Sequence, residues 1–389
     1  MVWNEFIEGD NLEVLSRLDD VVDLIYIDPP YNTGNDFAYR DDHGVGRNRH
    51  RDWTDMMRPR LVAGRDRLKD TGVLFVSIDD NEAAHLRLLL DEVFGERNFI
   101  AQIVVNLNPK GRQLGRHFAT SHEYLLVYAR DAGRTVLDAS SSRTVDESDF
   151  PLTDNEGRRY RHLPLRNTNK KFNPVTSRTL HFPVWGDPAT GRVSSETFEG
   201  AQQIEPVFGD GRPAVWRWSR PKIDAQAGDL VCREIVGRGG RRTDVFQKDW
   251  LHPDGPTLRR KKLKTIWLAE EVGSTDTAVQ ELKDLLGHVF ESPKPTGLIL
   301  RILETMPSDA VVLDFFAGSG TTGHAVALAN AEDGGTRRCI SINSAEPTRP
   351  GSNADLAGLR TVSAITEARL REVATSIGGG LQVTRMMAP

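Results

Sequence analysis

An apolar run at residues 21–27 ends in Asp28-Pro29-Pro30-Tyr31, and no other feature constrains this chain as much. A short, near-continuous apolar strand is covered on both faces, as in the sheet of an α/β domain. The carboxyl ends of such strands are where an open α/β sheet meets its ligands. The two prolines lack N–H donors and hold φ near one value. The result is a stiff corner with a carboxylate, two carbonyls and one aromatic ring. It suits a ligand that donates hydrogen bonds, such as an exocyclic amino group on a flat base.

The flanks of the chain repeat the α/β pattern. Apolar runs at 72–78, 100–105 and 124–129 have strand length. Asp79 or Asp80 can cap a helix whose apolar positions are Leu86, Leu89, Leu90, Val93 and Phe94, and Gly95 ends it. Later, the spacing predicts helices over 276–286 and 295–306, a strand over 310–316, a helix over 321–329 and a strand over 337–342. A tail helix over 354–374 precedes a loose, glycine-rich end. The middle differs: it is rich in Arg, Gly, Pro, Asp, Ser and Thr, and carries tryptophans at 185, 216, 218 and 250. Trp216 and Trp218 alternate around Arg217, which fits strand packing as well as base stacking. These shifts divide the chain into 1–130, an inserted domain at 131–264, 265–350, and a C-terminal helix and tail at 351–389.

The strand at 310–316 leads into Asp314-Phe315-Phe316-Ala317-Gly318-Ser319-Gly320-Thr321. Glycines at 318 and 320 let the backbone turn tightly and approach a ligand, and the next helix presents unpaired N–H groups. The loop lacks both the Gly-x-Gly-x-x-Gly spacing of a dinucleotide site and the Gly-Lys-Ser/Thr of a P-loop. A nucleoside without a polyphosphate fits it best. Glu346, after the next strand, is placed to take two ribose hydroxyls. Asp10, in a loop just before a helix, is either a helix cap or an acceptor lining the same pocket.

The formal net charge is −5, yet residues 158–178 hold seven Lys/Arg and no Asp/Glu. A second basic zone ends in Arg259-Arg260-Lys261-Lys262 and Lys264. A local positive field binds a polyanion whatever the total charge. Arg158, Arg159, Arg161, Lys170 and Lys171 are therefore the candidate nucleic-acid contacts, and the loop at 109–112 is a candidate to close over the same ligand. Cys232 and Cys339 match no zinc spacing. With no signal segment and no apolar stretch of about 18 residues, a cytoplasmic, non-membrane protein without a metal is expected.

The combination of Asp-Pro-Pro-Tyr at 28–31 with Phe-Phe-Ala-Gly-Ser-Gly-Thr-Thr at 315–322 resembles the S-adenosylmethionine-dependent DNA amino-methyltransferases. The catalytic corner comes first and the cofactor loop last, as in the circularly permuted β class. Closer still, Ile27-Asp28-Pro29-Pro30-Tyr31-Asn32-Thr33-Gly34 with Asp36-Phe37-Ala38-Tyr39 is similar to modification subunits of type III restriction-modification systems. So are Ser121-His122-Glu123-Tyr124 and Phe290-Glu291-Ser292-Pro293-Lys294-Pro295. The chain is a shortened form of that pattern.

The resemblance implies a permuted Rossmann-like methyltransferase sheet with an inserted target-recognition domain. It implies transfer of a methyl group from S-adenosylmethionine to N6 of an adenine flipped out of duplex DNA. Asp28, Pro29, Pro30 and Tyr31 then form the catalytic corner. Asp314, Phe315, Phe316, Gly318, Ser319, Gly320, Thr321 and Glu346 contact the cofactor, with Lys294, Pro295 and Thr296 beside its methionine end. A homodimer is implied, and a solitary enzyme fits the short length better than one with a restriction subunit. An N4-cytosine methyltransferase of the same fold and a non-catalytic DNA-binding subunit are the alternatives.

Overall fold

The computed structural model describes residues 2–34, 48–111, 117–144, 147–237, 240–252 and 260–386. The string Asp36 to Tyr39, Arg112 and Arg259 lie outside the described residues. The chain divides into two compact units, one of residues 1–141 with 262–389 and one of residues 142–261.

The first unit holds one large sheet. Its strands are β1 (Val2–Glu8), β2 (Val22–Ile27), β3 (Leu68–Ile78), β4 (Phe99–Val105), β5 (Glu123–Ala129), β6 (Ile266–Trp267), β7 (Val311–Asp314), β8 (Arg338–Asn343) and β9 (Gly380–Arg385). Their order across the sheet is β6-β4-β5-β3-β2-β7-β8-β1-β9. All pairings are parallel except the two made by β5, which runs antiparallel to both β3 and β4. Helices α1 (Asn11–Arg17), α2 (Arg49–Arg67), α3 (Ala83–Phe94), α4 (Thr275–Leu286), α5 (Thr296–Leu303), α6 (Thr321–Asp333) and α7 (Val362–Ser376) belong to the same unit.

The period-2 geometry of the central strands sorts their side chains into two cores. Ile25, Ile27, Leu74, Val76 and Ile78 face Trp53, Met57 and Leu61 of α2 and Leu86 and Leu90 of α3. Leu24, Tyr26, Val73 and Phe75 face Leu298, Ile299 and Ile302 of α5 and Ala325 and Val326 of α6. With both faces covered, these strands read as continuous apolar runs.

Three features depart from the sequence expectation. The chain's first residues form β1, between β8 and β9. The expected tail helix is two helices, Asn353–Leu356 and α7, separated by a segment holding Gly358 at φ 79°. The expected loose end is β9, which pairs with β1 from Val2↔Gly380 to Glu8↔Arg385.

The second unit is all antiparallel in its sheets. One runs in the order 230–237, 240–250, 159–164, 152–153, and a smaller one in the order 193–194, 184–186, 202–204. Its core includes Leu165, Phe182, Val184, Val193, Ile204, Trp216, Trp218, Cys232 and Val245. Trp216 and Trp218 are packing residues rather than exposed stacking platforms, and the Trp216 indole donates to the Phe182 carbonyl at 2.7 Å.

Candidate active site

β2 ends at Ile27, and the corner that Asp28 opens is held from two sides. The indole of Trp53 on α2, fully buried, donates to the Pro30 carbonyl at 2.7 Å. Asn32 sits at φ 57°, the left-handed region that asparagine tolerates better than most residues. Its amide donates to Glu82 Oε1 at 2.7 Å and to the Arg49 carbonyl at 3.2 Å. The Glu82 carboxylate is buried and also faces the Nδ1 atoms of His50 at 2.7 Å and His85 at 3.1 Å.

The corner carries a compact charge cluster. Lys294 Nζ lies 3.1 Å from Asp28 Oδ1 and 3.0 Å from Glu123 Oε2, and the lysine side chain is only 10% exposed. The Tyr31 hydroxyl is 2.7 Å from Asp28 Oδ1 and 3.0 Å from Glu123 Oε2, so one hydroxyl proton serves two carboxylates. Burial raises the Asp28 pKa above the usual carboxylate value. Lys294 opposes that rise, and Glu123 adds to it. Burial acts to lower the Lys294 pKa, but the two carboxylates outweigh it and keep the ammonium charged. Burial, then Asp28 and Glu123, push the Tyr31 phenol well above its usual value, so it stays neutral.

β7 lies beside β2 in parallel register, Val312 against Leu24 and Leu313 against Ile25, and β8 lies on its other side. Their carboxyl ends therefore open on the same side as Asp28. Asp314 closes β7 and accepts from Phe316 N at 3.0 Å and from the Thr322 hydroxyl. Burial pushes its carboxyl up to about 7, against those two hydrogen bonds. Gly318 at φ 50° and Gly320 at φ 82° let the loop double back into α6. The Gly318 carbonyl accepts from Asn343 Nδ2 at 3.1 Å and Thr366 Oγ1 at 2.6 Å, and the Phe315 carbonyl accepts from Asn11 Nδ2 at 2.8 Å.

Corner and loop line one cleft of about 300 Å³. It brings together Asp10, Asp28, Pro30, Lys294, Asp314, Phe315, Phe316, Gly318, Ser319, Thr321 and Glu346, all singled out in the sequence. Pro29, Tyr31, Pro295, Thr296 and Gly320 are not among its walls. Tyr31 reaches the site through its hydroxyl, Gly320 caps α6, and Thr296 directs its N–H and hydroxyl to Glu281. Asp10 accepts from Leu12 N and Glu13 N as the cap of α1, and it also lines the cleft.

Sequence reasoning did not assign Glu123, Trp53, Glu82, Asn343 or Thr366 to the site. Glu123 had a signal, since it lies in the Ser-His-Glu-Tyr string, but read alone it looks like a packed strand start.

In the second unit, four of the five candidate DNA contacts are ion-paired. Arg158 pairs with Asp154, Arg159 with Glu147 and Arg161 with Asp249, each at 2.8 Å, and Lys170 with Asp210 at 2.9 Å. Lys171 is exposed.

A central parallel strand ending in an acid-proline corner, beside a glycine loop on the neighbouring strand, is the frame of a nucleoside-dependent group transferase. The profile of the N6/N4 DNA methylase family matches residues 22–347. The chain belongs to that family, the S-adenosylmethionine-dependent methyltransferases of DNA amino groups. It is 34% identical to the type II methyltransferase M.KpnI of Klebsiella pneumoniae over 94% of this chain and 86% of the relative. It is 36% identical to the EcoPI Mod subunit of a type III restriction-modification enzyme from Escherichia phage P1, over 95% of this chain. With the StyLTI Mod subunit of Salmonella typhimurium it shares 33% identity over 96% of this chain. The chain spans 62% and 57% of the length of those two Mod subunits.

Proposed function

We propose that this chain methylates N6 of an adenine turned out of duplex DNA. The observation that carries the reading is the single cleft shared by the Asp28 corner and the glycine loop. The donor set fits S-adenosylmethionine: Glu346 and Asp10 as acceptors for a nucleoside, Phe290 and Phe316 as apolar walls, and a loop whose glycines leave room for close approach. When bound, S-adenosylmethionine supplies an electrophilic methyl group on its sulfonium.

The rest is done by the protein. An adenine amino group is a poor nucleophile because its lone pair is shared with the ring. Asp28 and the Pro29 carbonyl accept its two hydrogens and favour a more tetrahedral nitrogen. Lys294 opposes the rise that burial imposes on the Asp28 pKa and so favours its ionised, accepting form. Tyr31 stacks on the extruded ring, its position fixed by the hydroxyl bonds to Asp28 and Glu123. Once methylated, the nitrogen is acidic, and Asp28 takes its proton. Alignment and electrostatic placement supply the rate, and extrusion of the base makes its amino group reachable. Arg158, Arg159, Arg161, Lys170 and Lys171 contact DNA phosphates by exchanging their present carboxylate partners, where they have them, for the backbone. The resemblance to type III modification subunits extends the proposal to a homodimer.

Transfer of labelled methyl from S-adenosylmethionine to duplex DNA tests the catalytic reading. Asp28→Ala should fold and bind S-adenosylhomocysteine as wild type does, with turnover lowered by about 10²–10³-fold or more. Near-normal turnover in the folded variant would remove Asp28 from the chemistry.

A further inference from the structure

Behind the glycine loop lies a cation that the reaction scheme leaves without a role. Arg369 on α7 has no exposed surface. Its Nη1 donates to Ser319 Oγ at 3.1 Å and Thr321 Oγ1 at 2.9 Å, and its Nη2 to His324 Nδ1 at 3.1 Å. Among the described residues its Nε has no hydrogen-bond partner. Among the described residues no carboxylate forms an ion pair with it. The charge of Glu281 steadies it from a distance, but the Glu281 carboxylate is itself engaged by Thr296 N at 3.0 Å and Oγ1 at 2.9 Å. Burial lowers the guanidinium to about 10, so it remains charged at neutral pH. Burial, with Arg369 beside it, holds the His324 imidazole down to about 3, so His324 is neutral and accepts.

An unpaired cation in a protein interior is strongly unfavourable unless a counter-charge reaches it. A guanidinium has donors only. It therefore occupies lone pairs of both hydroxyls and turns their hydrogens elsewhere. The Thr321 hydrogen goes to the Lys294 carbonyl at 3.2 Å. Ser319 Oγ also lies 3.3 Å from Thr321 Oγ1, and Ser319 lines the cleft, so its hydrogen rests on that long contact and turns to a carboxylate ligand when one enters.

We propose that Arg369 is a positioning residue for the carboxylate at the amino-acid end of the methyl donor, acting through the Ser319 hydroxyl and the positive potential it places behind the loop. The assignment rests on the cofactor reading above. It makes α7 part of the donor site through a guanidinium that has no exposed surface.

Calorimetry with two nucleosides separates this role from a structural one. S-adenosylhomocysteine carries the carboxylate, and 5′-methylthioadenosine lacks the whole amino-acid end. Arg369→Met should weaken S-adenosylhomocysteine at least tenfold and change 5′-methylthioadenosine less than twofold. Arg369→Lys should recover most of the loss, and Ser319→Ala should weaken S-adenosylhomocysteine selectively. Equal weakening of both nucleosides by Arg369→Met, or no weakening of either, overturns the proposal. Should Arg369→Met not fold, Ser319→Ala decides, and unchanged S-adenosylhomocysteine affinity in it overturns the proposal. A wild-type protein that binds neither nucleoside overturns the cofactor reading itself, and this role with it.

Discussion

Asp28 and Glu123 stand on either side of one ammonium, and that arrangement shows which parts of the site a sequence can disclose. Asp28, Pro29, Pro30 and Tyr31 are legible because their chemistry lies in one contiguous string on one stiff turn. Glu123 comes to the same hydroxyl across 92 residues of chain, and Trp53 to Pro30 across 23. Packing of β5 and α2 makes those contacts, and no local pattern encodes them. Asp314 is legible as the acid that ends a strand, but its protonation is not, because burial sets it. That burial makes a prediction with a definite sign. A carboxyl held at about 7 in the folded chain, against 3.8 ordinarily, binds its proton more tightly folded than unfolded. Its contribution to stability is greatest below about pH 4 and is lost as pH rises through about 7, at up to about 1.4 kcal/mol per pH unit. Asp314→Asn should flatten the fall in unfolding free energy between pH 5 and 7. Urea titrations giving wild type and variant the same slope would place the proton elsewhere.

Among the elements, the apolar runs at 21–27, 72–78, 100–105 and 124–129 correspond to β2 to β5, within a few residues at each end. Their directions are not legible, since a strand buried on both faces looks the same whichever way it runs. β5 is the case in point. β9 is hidden for another reason. Three glycines, 378–380, precede or open it, and its Leu381 and Val383 are only half buried at the sheet's edge beside β1. Gly379 is structural: it has φ 78°, and a Cβ there would collide with the Trp3 ring. Gly379→Ala should therefore destabilise the protein by about 1–3 kcal/mol, from left-handed strain and overpacking. Thermal unfolding should show the loss as a lower Tm with donor affinity unchanged in the folded protein. An unchanged Tm would mean that β9 contributes little to the fold.

At the scale of the whole molecule, the formal charge of −5 hides a basic middle segment, and that segment hides its own neutralisation. Four of its candidate DNA-contacting cations already have carboxylate partners, which a count along the sequence cannot reveal. The short strands of residues 142–261 are likewise not legible, because turn-rich sequence with few periodic positions leaves their pairing to tertiary contacts. This unit has its own core around Trp216 and Trp218 and holds none of the residues that line the cleft. On the proposed function, exchanging residues 142–261 for those of a relative should change which DNA sequence is methylated while the type of modified base stays the same. Methylation-sensitive sequencing of host DNA checks this, and an unchanged motif in an active chimera would place recognition outside the unit.

The most direct measurement is the identity of the modified nucleoside. Duplex DNA incubated with the protein and S-adenosylmethionine is digested and its nucleosides are separated by mass. The account predicts N6-methyl-2′-deoxyadenosine with wild type and at least about a hundredfold less of it, over the same early time course, with Asp28→Ala. N4-methyl-2′-deoxycytidine, or no methylated nucleoside from a folded protein that binds both S-adenosylmethionine and DNA, would contradict it.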